Sequence, residues 1–335
     1  MNLDSIFKRF SETCALVIGD LMIDAYSWGK VNRISPEAPV PIVSITKKEN
    51  RLGGAGNVAL NLISLGAKTI LCSVIGNDSV GQELLELLNS HNLDRDSVFL
   101  SQSRQTTIKE RIISSGQHLL RVDTEDSHPL DTSEEIHLWN IIERQLNEQK
   151  VDVVVFEDYD KGCITPLIIS KTVDLCLKKG IPTIVDPKKR NFLQYKNVTL
   201  FKPNLKELKE GLRLEELTEK TIELAKMGSE QLVSQFGIQK TLITLSENGV
   251  IVYDGKSHTH IKAHVREIAD VSGAGDTVVS VAALCLAQNL DLVTIGSLSN
   301  LAGGLVCEHV GVVPIDKEEL LSEAILMQAD KKGQN

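Results

Sequence analysis

Five short apolar runs punctuate the chain: "CALVIGD" (14–20), "TILCSVIG" (69–76), "VDVVVFED" (151–158), "IPTIVDP" (181–187) and "TLITLS" (241–246). Each is too short for a buried helix and nearly continuous in apolar character, the pattern of a strand covered on both faces. Between them lie stretches with helical spacing: "NVALNLISLG", "VGQELLELLNSH", "TSEEIHLWNIIERQL", "TPLIISKTVDLCLKKG" and "LTEKTIELAKMGSEQLVSQFG". Several end on Gly just before the next strand, a common helix stop. Strand–helix alternation over most of the chain predicts a mostly parallel sheet with helices on both faces, an α/β fold.

Two segments depart from that rhythm. Residues 30–52, "KVNRISPEAPVPIVSITKKENRL", carry prolines and then alternate apolar with polar. Residues 98–124, "VFLSQSRQTTIKERIISSGQHLLRVDT", hold two alternating runs around "SSGQ", a hairpin signal. Together they predict a small sheet apart from the main one, suited to a lid or a dimer surface. The plain alternative is two surface hairpins. Residues 1–330 read as one domain with these segments inserted, and 331–335 as a frayed tail.

Composition sets the outer limits. The chain has 335 residues, 42% apolar and 24% charged, as in ordinary globular proteins. No stretch approaches the roughly 20 apolar residues that span a bilayer, and "MNLDSIFKRFSE" lacks the apolar core of an export signal. The six cysteines form no CxxC pair and lie mostly in apolar runs, so they read as reduced thiols of a cytoplasmic protein. A net charge of −9 argues against a nucleic-acid partner, which needs a basic face, and no membrane partner is expected. A small anion would need a locally basic pocket, for which Lys109, Arg111, Arg121, Lys161 and Lys188 are candidates.

Ligands of open α/β sheets sit beyond the carboxyl ends of the strands. Asp20 and Asp24, Asp78, Asp158 with Lys161, Asp186 with Lys188, and Glu247 all follow apolar runs there. A set of this size points to a site rather than to helix capping alone. "RLGGAGNVALNLISLG" (51–66) contains Gly54-x-Gly56-x-x-Ala59, close to a dinucleotide fingerprint, with Asp78 near the place of a ribose-binding acid. The fingerprint needs a buried strand leading into its first glycine, and "KKENR" is no buried strand. A close backbone approach to a polar ligand, with Asn57 at the helix start, is the better reading. There is no GxxxxGK[ST] loop.

"DVSGAGDT" (270–277) precedes the apolar "VVSVAALCLA". Gly273, Ala274 and Gly275 would offer successive N–H groups at a helix N-terminus, where the dipole favours an anion. Asp276 in the first turn would stay ionised readily and take a proton from a hydroxyl. For a bare G-x-G-D, a helix start with an acidic first turn is the simpler account.

Context changes that weighting. D-x-x-G-A-G-D-T, the GGxxN helix start and "KPNLKE" (202–207) occur in this order on an alternating chain. The chain resembles the PfkB (ribokinase-like) family of sugar kinases over nearly its full length. With "GDLMIDAYSWG", "RISPEAPVPIV", "DYDKG" and "DPK", it is most similar to the heptose 7-phosphate kinase branch, the kinase half of bifunctional ADP-heptose synthesis proteins. The resemblance implies a ribokinase-like three-layer sandwich with a β-sheet lid. It implies ATP and Mg²⁺ as cofactors, and phosphorylation of the anomeric O1 of D-glycero-β-D-manno-heptose 7-phosphate for lipopolysaccharide synthesis.

Carried over residue by residue, Asp276 is the base and Gly273–Gly275 the anion hole. Asp24, Tyr26, Gly53, Gly54 and Asn57 line the sugar site, with Asp158. Lys109, Arg111, Arg121 and Lys161 are candidates for the distal phosphate. Asp186, Lys188, Asn204, Glu207, Thr244, Gly249 and Asn300 serve the nucleotide, with Asn204 and Glu207 organising Mg²⁺ through water and phosphates. Asp270 and "HVGVVP" (309–314) resemble the monovalent-cation region, potassium being the candidate ion. Glu157 and Ser272 depart from the family, which often has Ser and Thr there. No HxGH signature occurs, so kinase activity alone is expected, with a separate adenylyltransferase downstream. A homodimer through the lid is expected. The rivals are another sugar kinase (for ribose, fructose 1-phosphate or a nucleoside), an NAD(P)-dependent oxidoreductase, and a non-catalytic regulator of the same fold.

Overall fold

The structure, a computed structural model, describes residues 2–215, 220–264 and 266–333. The first half of the chain forms α1 (Leu3–Phe10), β1 (Cys14–Gly19), β2 (Leu21–Ile34), β3 (Pro41–Gly54), α2 (Ala55–Ser64), β4 (Lys68–Gly76), α3 (Ser79–Ser90), β5 (Val98–Ser101), β6 (Thr107–Ser114), β7 (Gln117–Thr124) and α4 (Thr132–Glu148). The second half forms β8 (Val153–Glu157), α5 (Pro166–Lys179), β9 (Thr183–Asp186), β10 (Leu200–Phe201), α6 (Leu205–Leu212), α7 (Thr221–Phe236), β11 (Lys240–Thr244), β12 (Val250–Tyr253), β13 (His258–Ile261), α8 (Ala274–Ala287), α9 (Leu292–Val306) and α10 (Lys317–Gly333).

Among the described residues, nine strands make one sheet in the order β13-β12-β11-β10-β9-β8-β1-β4-β5. All neighbours are parallel except β11–β12 and β12–β13. The continuous apolar runs follow from the two-faced burial. Ala15, Val17, Val153 and Val155 belong to a core shared with α1, α2, α3, α8, α9 and α10. Leu16, Ile18, Val154 and Phe156, one residue out of phase, belong to a core shared with α4, α5, α6 and α7. Successive side chains on a strand point to opposite faces, so every residue of such a strand must be apolar. The five expected strands are β1, β4, β8, β9 and β11, all in the parallel part of the sheet; the two-residue β10, between β9 and β11, is an addition to the sequence expectation.

The second sheet has the order β3-β2-β6-β7. Its β2–β3 and β6–β7 pairs are antiparallel, while β2 and β6 run parallel. Its limits differ from the sequence expectation in two ways. Residues 98–101 pair with β4 in the main sheet. At the other end, β2 starts at Leu21, with only Asp20 between it and β1, because its first half is still covered by the body: Leu21, Met22 and Ile23 are buried. "KKENR" is indeed no buried strand, yet it is strand, since it lies in β3 on the half-exposed lid. The expected tail is also shorter, as α10 continues through Gly333, and residues 334 and 335 lie outside the described residues. No described helix is long and apolar enough to cross a membrane. All six cysteines are free, and five are buried.

Candidate active site

Asp276 sits in the first turn of α8, whose N-cap Gly273 has φ 80°. That left-handed conformation favours glycine and turns the chain sharply into the helix. The carboxylate is buried. It accepts hydrogen bonds from Asn57 Nδ2 at 2.7 Å and from the Tyr159 hydroxyl at 2.9 Å. Asn57 is held in turn by Asn61 one helical turn on, whose Nδ2 donates to the Asn57 carbonyl and to Asn57 Oδ1. Asn61 Oδ1 accepts from Thr277 Oγ1 and from the Ile315 backbone. A buried polar chain thus fixes the carboxylate from α2, α8 and the β8–α5 loop.

Burial pushes the pKa of Asp276 up to about 6, and the Asp186 charge adds to this, while the bonds from Asn57 and Tyr159 oppose it. The sequence had suggested an acid kept readily ionised by the helix dipole. Desolvation prevails because the group is fully enclosed, and the result is a carboxyl poised near neutrality, better matched to a general base.

The Gly273–Gly275 turn lies half-buried beside this carboxylate. A Cβ on Gly275 would come within 3.6 Å of Asp186 Oδ2 and 3.8 Å of Lys202 Nζ, so the turn faces the body's charged cluster. The Ala274 N–H already donates to Val271 O at 3.3 Å, which makes it a weaker member of the expected cradle.

That cluster holds four acids and two lysines. Lys202 and Asp186, both buried, pair at 2.9 Å. Lys188 pairs with Glu207. Burial disfavours both ammonium groups, but Asp186 and Glu207 outweigh it and hold them protonated. Asn204 and Glu207 form a capping box at the start of α6: Asn204 Oδ1 accepts from Glu207 N and Glu207 Oε2 from Asn204 N, each at 2.8 Å. With Lys188 on its other oxygen, Glu207 has both oxygens engaged. Neither oxygen of Glu207 is therefore open to ligate a metal directly while the cap and the Lys188 pair hold. A cleft of about 530 Å³ opens between the N-terminus of α6 and the 3₁₀ turn at 246–248, lined by Asn204, Thr244, Glu247 and Asn248 among others. Gly249 and Asn300 do not line it. Gly249 packs against the backbone of 261–263, and Asn300 donates to Lys262 O.

On the lid, Asp24 faces Gly53 so closely that any Cβ there would overlap its Oδ2. Gly54, with φ 56°, caps α2, and Asn57 follows one turn later. The lid and the partner of the Asp276 carboxylate are thus joined through four residues of chain. Arg111 pairs with Asp24 at 2.5 Å and lies over the Tyr26 ring. Tyr26 accepts from Val312 N, and Arg51 donates to Val312 O, so the lid grips the 309–314 loop. Asp270 takes the Gly311 N–H from the other side, which unites the two segments expected around a monovalent cation.

Several candidates serve other ends. Asp158 is buried and accepts from Asn191, Tyr195 and Asp160 N; its role is to brace the loop after β8, which corrects its placement among the sugar ligands. Asp20 clamps the same loop by accepting N–H groups of Tyr159, Lys161 and Cys163. Asp78 caps α3, and the strand before Gly54 belongs to the lid, so the dinucleotide reading falls. Arg121 pairs with Asp123 and is 55% exposed at its side chain. Lys109 and Lys161 both approach Glu125, at 3.8 Å and 2.7 Å. The reading from sequence left out Lys202 and Tyr159 as site residues. Both stood in motifs it quoted, "KPNLKE" and "DYDKG", but only their tertiary neighbours reveal a role.

A pfkB family carbohydrate kinase profile matches residues 13–318. The chain belongs to that family. It is accordingly a phosphotransferase acting on a sugar hydroxyl. It is 36% identical over 332 residues to the bifunctional protein HldE of Pelobacter propionicus, covering 98% of this chain and 67% of that protein. It is 38% identical over 324 residues to the HldE of Caulobacter vibrioides, covering 96% and 66%. The chain thus spans about two thirds of the length of these relatives. Phosphofructokinase-2 from Escherichia coli in complex with potassium superposes with a TM-score of 0.77 at 20% identity, covering 92% of this chain and 97% of that one. Ribokinase of Arabidopsis thaliana complexed with ribose and ATP gives 0.68 at 17% identity, covering 92% and 98%. These place the pfkB chain in the ribokinase-like fold.

Proposed function

We propose that this kinase transfers the γ-phosphoryl group of ATP to the anomeric O1 of D-glycero-β-D-manno-heptose 7-phosphate, giving the 1,7-bisphosphate. The carrying observation is the buried Asp276, poised near pH 6 and held by Asn57 and Tyr159. In the step, O1 forms a bond to Pγ as the bond from Pγ to the ADP oxygen breaks, and the O1 proton passes to Asp276. Free N–H groups of the first turn of α8 lack intrahelical acceptors and, with Lys188, stabilise the charge on the moving phosphoryl group. Mg²⁺ supplies charge neutralisation on the ATP phosphates. Asn204 and Glu207 orient its surroundings, and the cleft along Thr244 takes the nucleoside. Asp270 and the 309–314 loop are the proposed potassium region.

Asp24 and the Gly53 backbone receive the sugar hydroxyls. The relatives named HldE favour a heptose phosphate over other sugars. So do Lys109 and Lys161. They converge on Glu125, with Asp123 also 3.9 Å from Lys109; burial and then repulsion from Lys161 depress the pKa of Lys109 against the pull of both acids, and a phosphate dianion would relieve that repulsion. A homodimer through the lid, working in the cytoplasm, completes the reading. On the lid, Leu120 is 59% exposed and Val122 45%. By strand alternation and register they lie on the face opposite Arg111 and Asp24.

An ADP-release assay over heptose 7-phosphate, unphosphorylated heptose, ribose and fructose 1-phosphate tests this. Turnover at least about tenfold more efficient on heptose 7-phosphate supports the reading; a preference for an unphosphorylated sugar refutes it.

A further inference from the structure

The β8 and β9 strand ends stand in register, Glu157 beside Asp186, and point to the same face of the sheet as Asp276. One carboxylate oxygen from each of the three lies within 4.8 Å of the others. Oxygens bound to one ion at about 2.1–2.4 Å are separated by at most ~4.2–4.8 Å. Glu157 has no solvent exposure, and neither of its oxygens has a hydrogen-bond partner; Asp186 Oδ1 is likewise buried without one. Buried acceptors are almost always satisfied, so these three unpartnered oxygens, on two side chains of one carboxylate cluster, mark a missing partner. The local charge agrees. Among the described residues Glu157, Asp186, Asp276 and Glu207 face Lys188 and Lys202; burial, with the Asp186 and Asp276 charges, pushes the Glu157 carboxyl well up, and a cation there would offset both. The ligand set is all oxygen, which suits a hard cation.

We propose that Glu157 and Asp186 bind one divalent cation of the magnesium class directly, with Asp276 at its edge, and that they do so without nucleotide. Asp276 is the peripheral member because its oxygens already accept from Asn57 and Tyr159, which leaves it able to receive a proton. Asn204 and Glu207, with their cap formed, are not the anchors. The site rests on the carboxylate geometry alone, so it stands whichever sugar the enzyme uses.

Mn²⁺ is the probe. The nucleotide-free protein is titrated with Mn²⁺ while free ion is followed by electron paramagnetic resonance. Wild type should bind one equivalent, displaced by excess Mg²⁺. Glu157→Gln and Asp186→Asn should each weaken binding about tenfold or more, with the circular dichroism spectrum unchanged, and Glu207→Gln, which removes a neighbouring charge but no ligand, should weaken it less than either. A wild-type titration indistinguishable from buffer overturns the proposal and shows that protons satisfy the cluster instead. This reading needs no variant to fold. Binding lost in Glu207→Gln but kept in Glu157→Gln also overturns it, by moving the ion to α6.

Discussion

Asp276 illustrates how much one residue owes to its surroundings. In the first turn of an exposed helix the dipole would keep it ionised at low pH. Enclosed here, it titrates near 6. As a base it must be deprotonated, so kcat should fall as pH drops through the Asp276 limb, at about 6 without a neighbouring cation and lower with one beside it; a kcat that rises as pH falls would remove it from the proton transfer. Asp276→Asn should lower kcat about a thousandfold while ATP affinity, measured by equilibrium binding, changes little. Tyr159→Phe removes a bond that stabilises the carboxylate, so the acidic limb of the same profile should move to higher pH. A merely structural tyrosine would alter kcat or stability without moving that limb.

At the scale of elements, the lid strands carry Asp24 and Gly53, the proposed sugar contacts, to the body. The Arg111–Asp24 pair joins β6 to β2 and is largely buried, with side chains 12% and 8% exposed. Arg111→Met leaves Asp24 without its partner. It should cost about 3 kcal/mol in chemical denaturation and raise KM for the sugar phosphate well beyond that for ATP. Equal effects on both KM values would detach the pair from sugar recognition. Helix α6 contributes through its cap: Asn204→Ala should destabilise by about 1 kcal/mol and raise KM for ATP, because it frees Glu207 and the lining of the cleft together.

For the whole molecule, the described residues of the lid meet the body at several points, among them the β3–α2 joint at Gly53–Asn57, the grip of Tyr26 and Arg51 on Val312 and the Asn50 Nδ2–Glu83 hydrogen bond. If the exposed outer face of the lid is the dimer surface, Leu120→Glu with Val122→Glu should convert a sedimenting dimer to a monomer. A double variant that still sediments as a dimer places the interface elsewhere.

Much of this was legible in the chain. Apolar runs must recur wherever a strand is covered twice, so the central parallel strands and the helices between them could be placed, and glycine-rich helix starts marked Gly53, Gly54, Asn57 and Gly273–Asp276 as a site. The start of β2 and the place of 98–101 were not legible, because a strand that leaves one sheet for another keeps its alternation while its cover changes. Nor were the roles of Asp20, Asp158 and Asp78, since an acid after a strand looks the same whether it clamps a loop, caps a helix or meets a ligand. The sequence by itself determined the fold class, the family and the position of the glycine turn that starts α8, all of which follow from local periodicity and short motifs. Only the tertiary structure decided the poise of Asp276, the buried Lys202–Asp186 pair and the unpartnered oxygens of Glu157. Desolvation and charge pairing depend on groups remote in the chain, brought within a few ångströms by the packing of β8, β9 and α8.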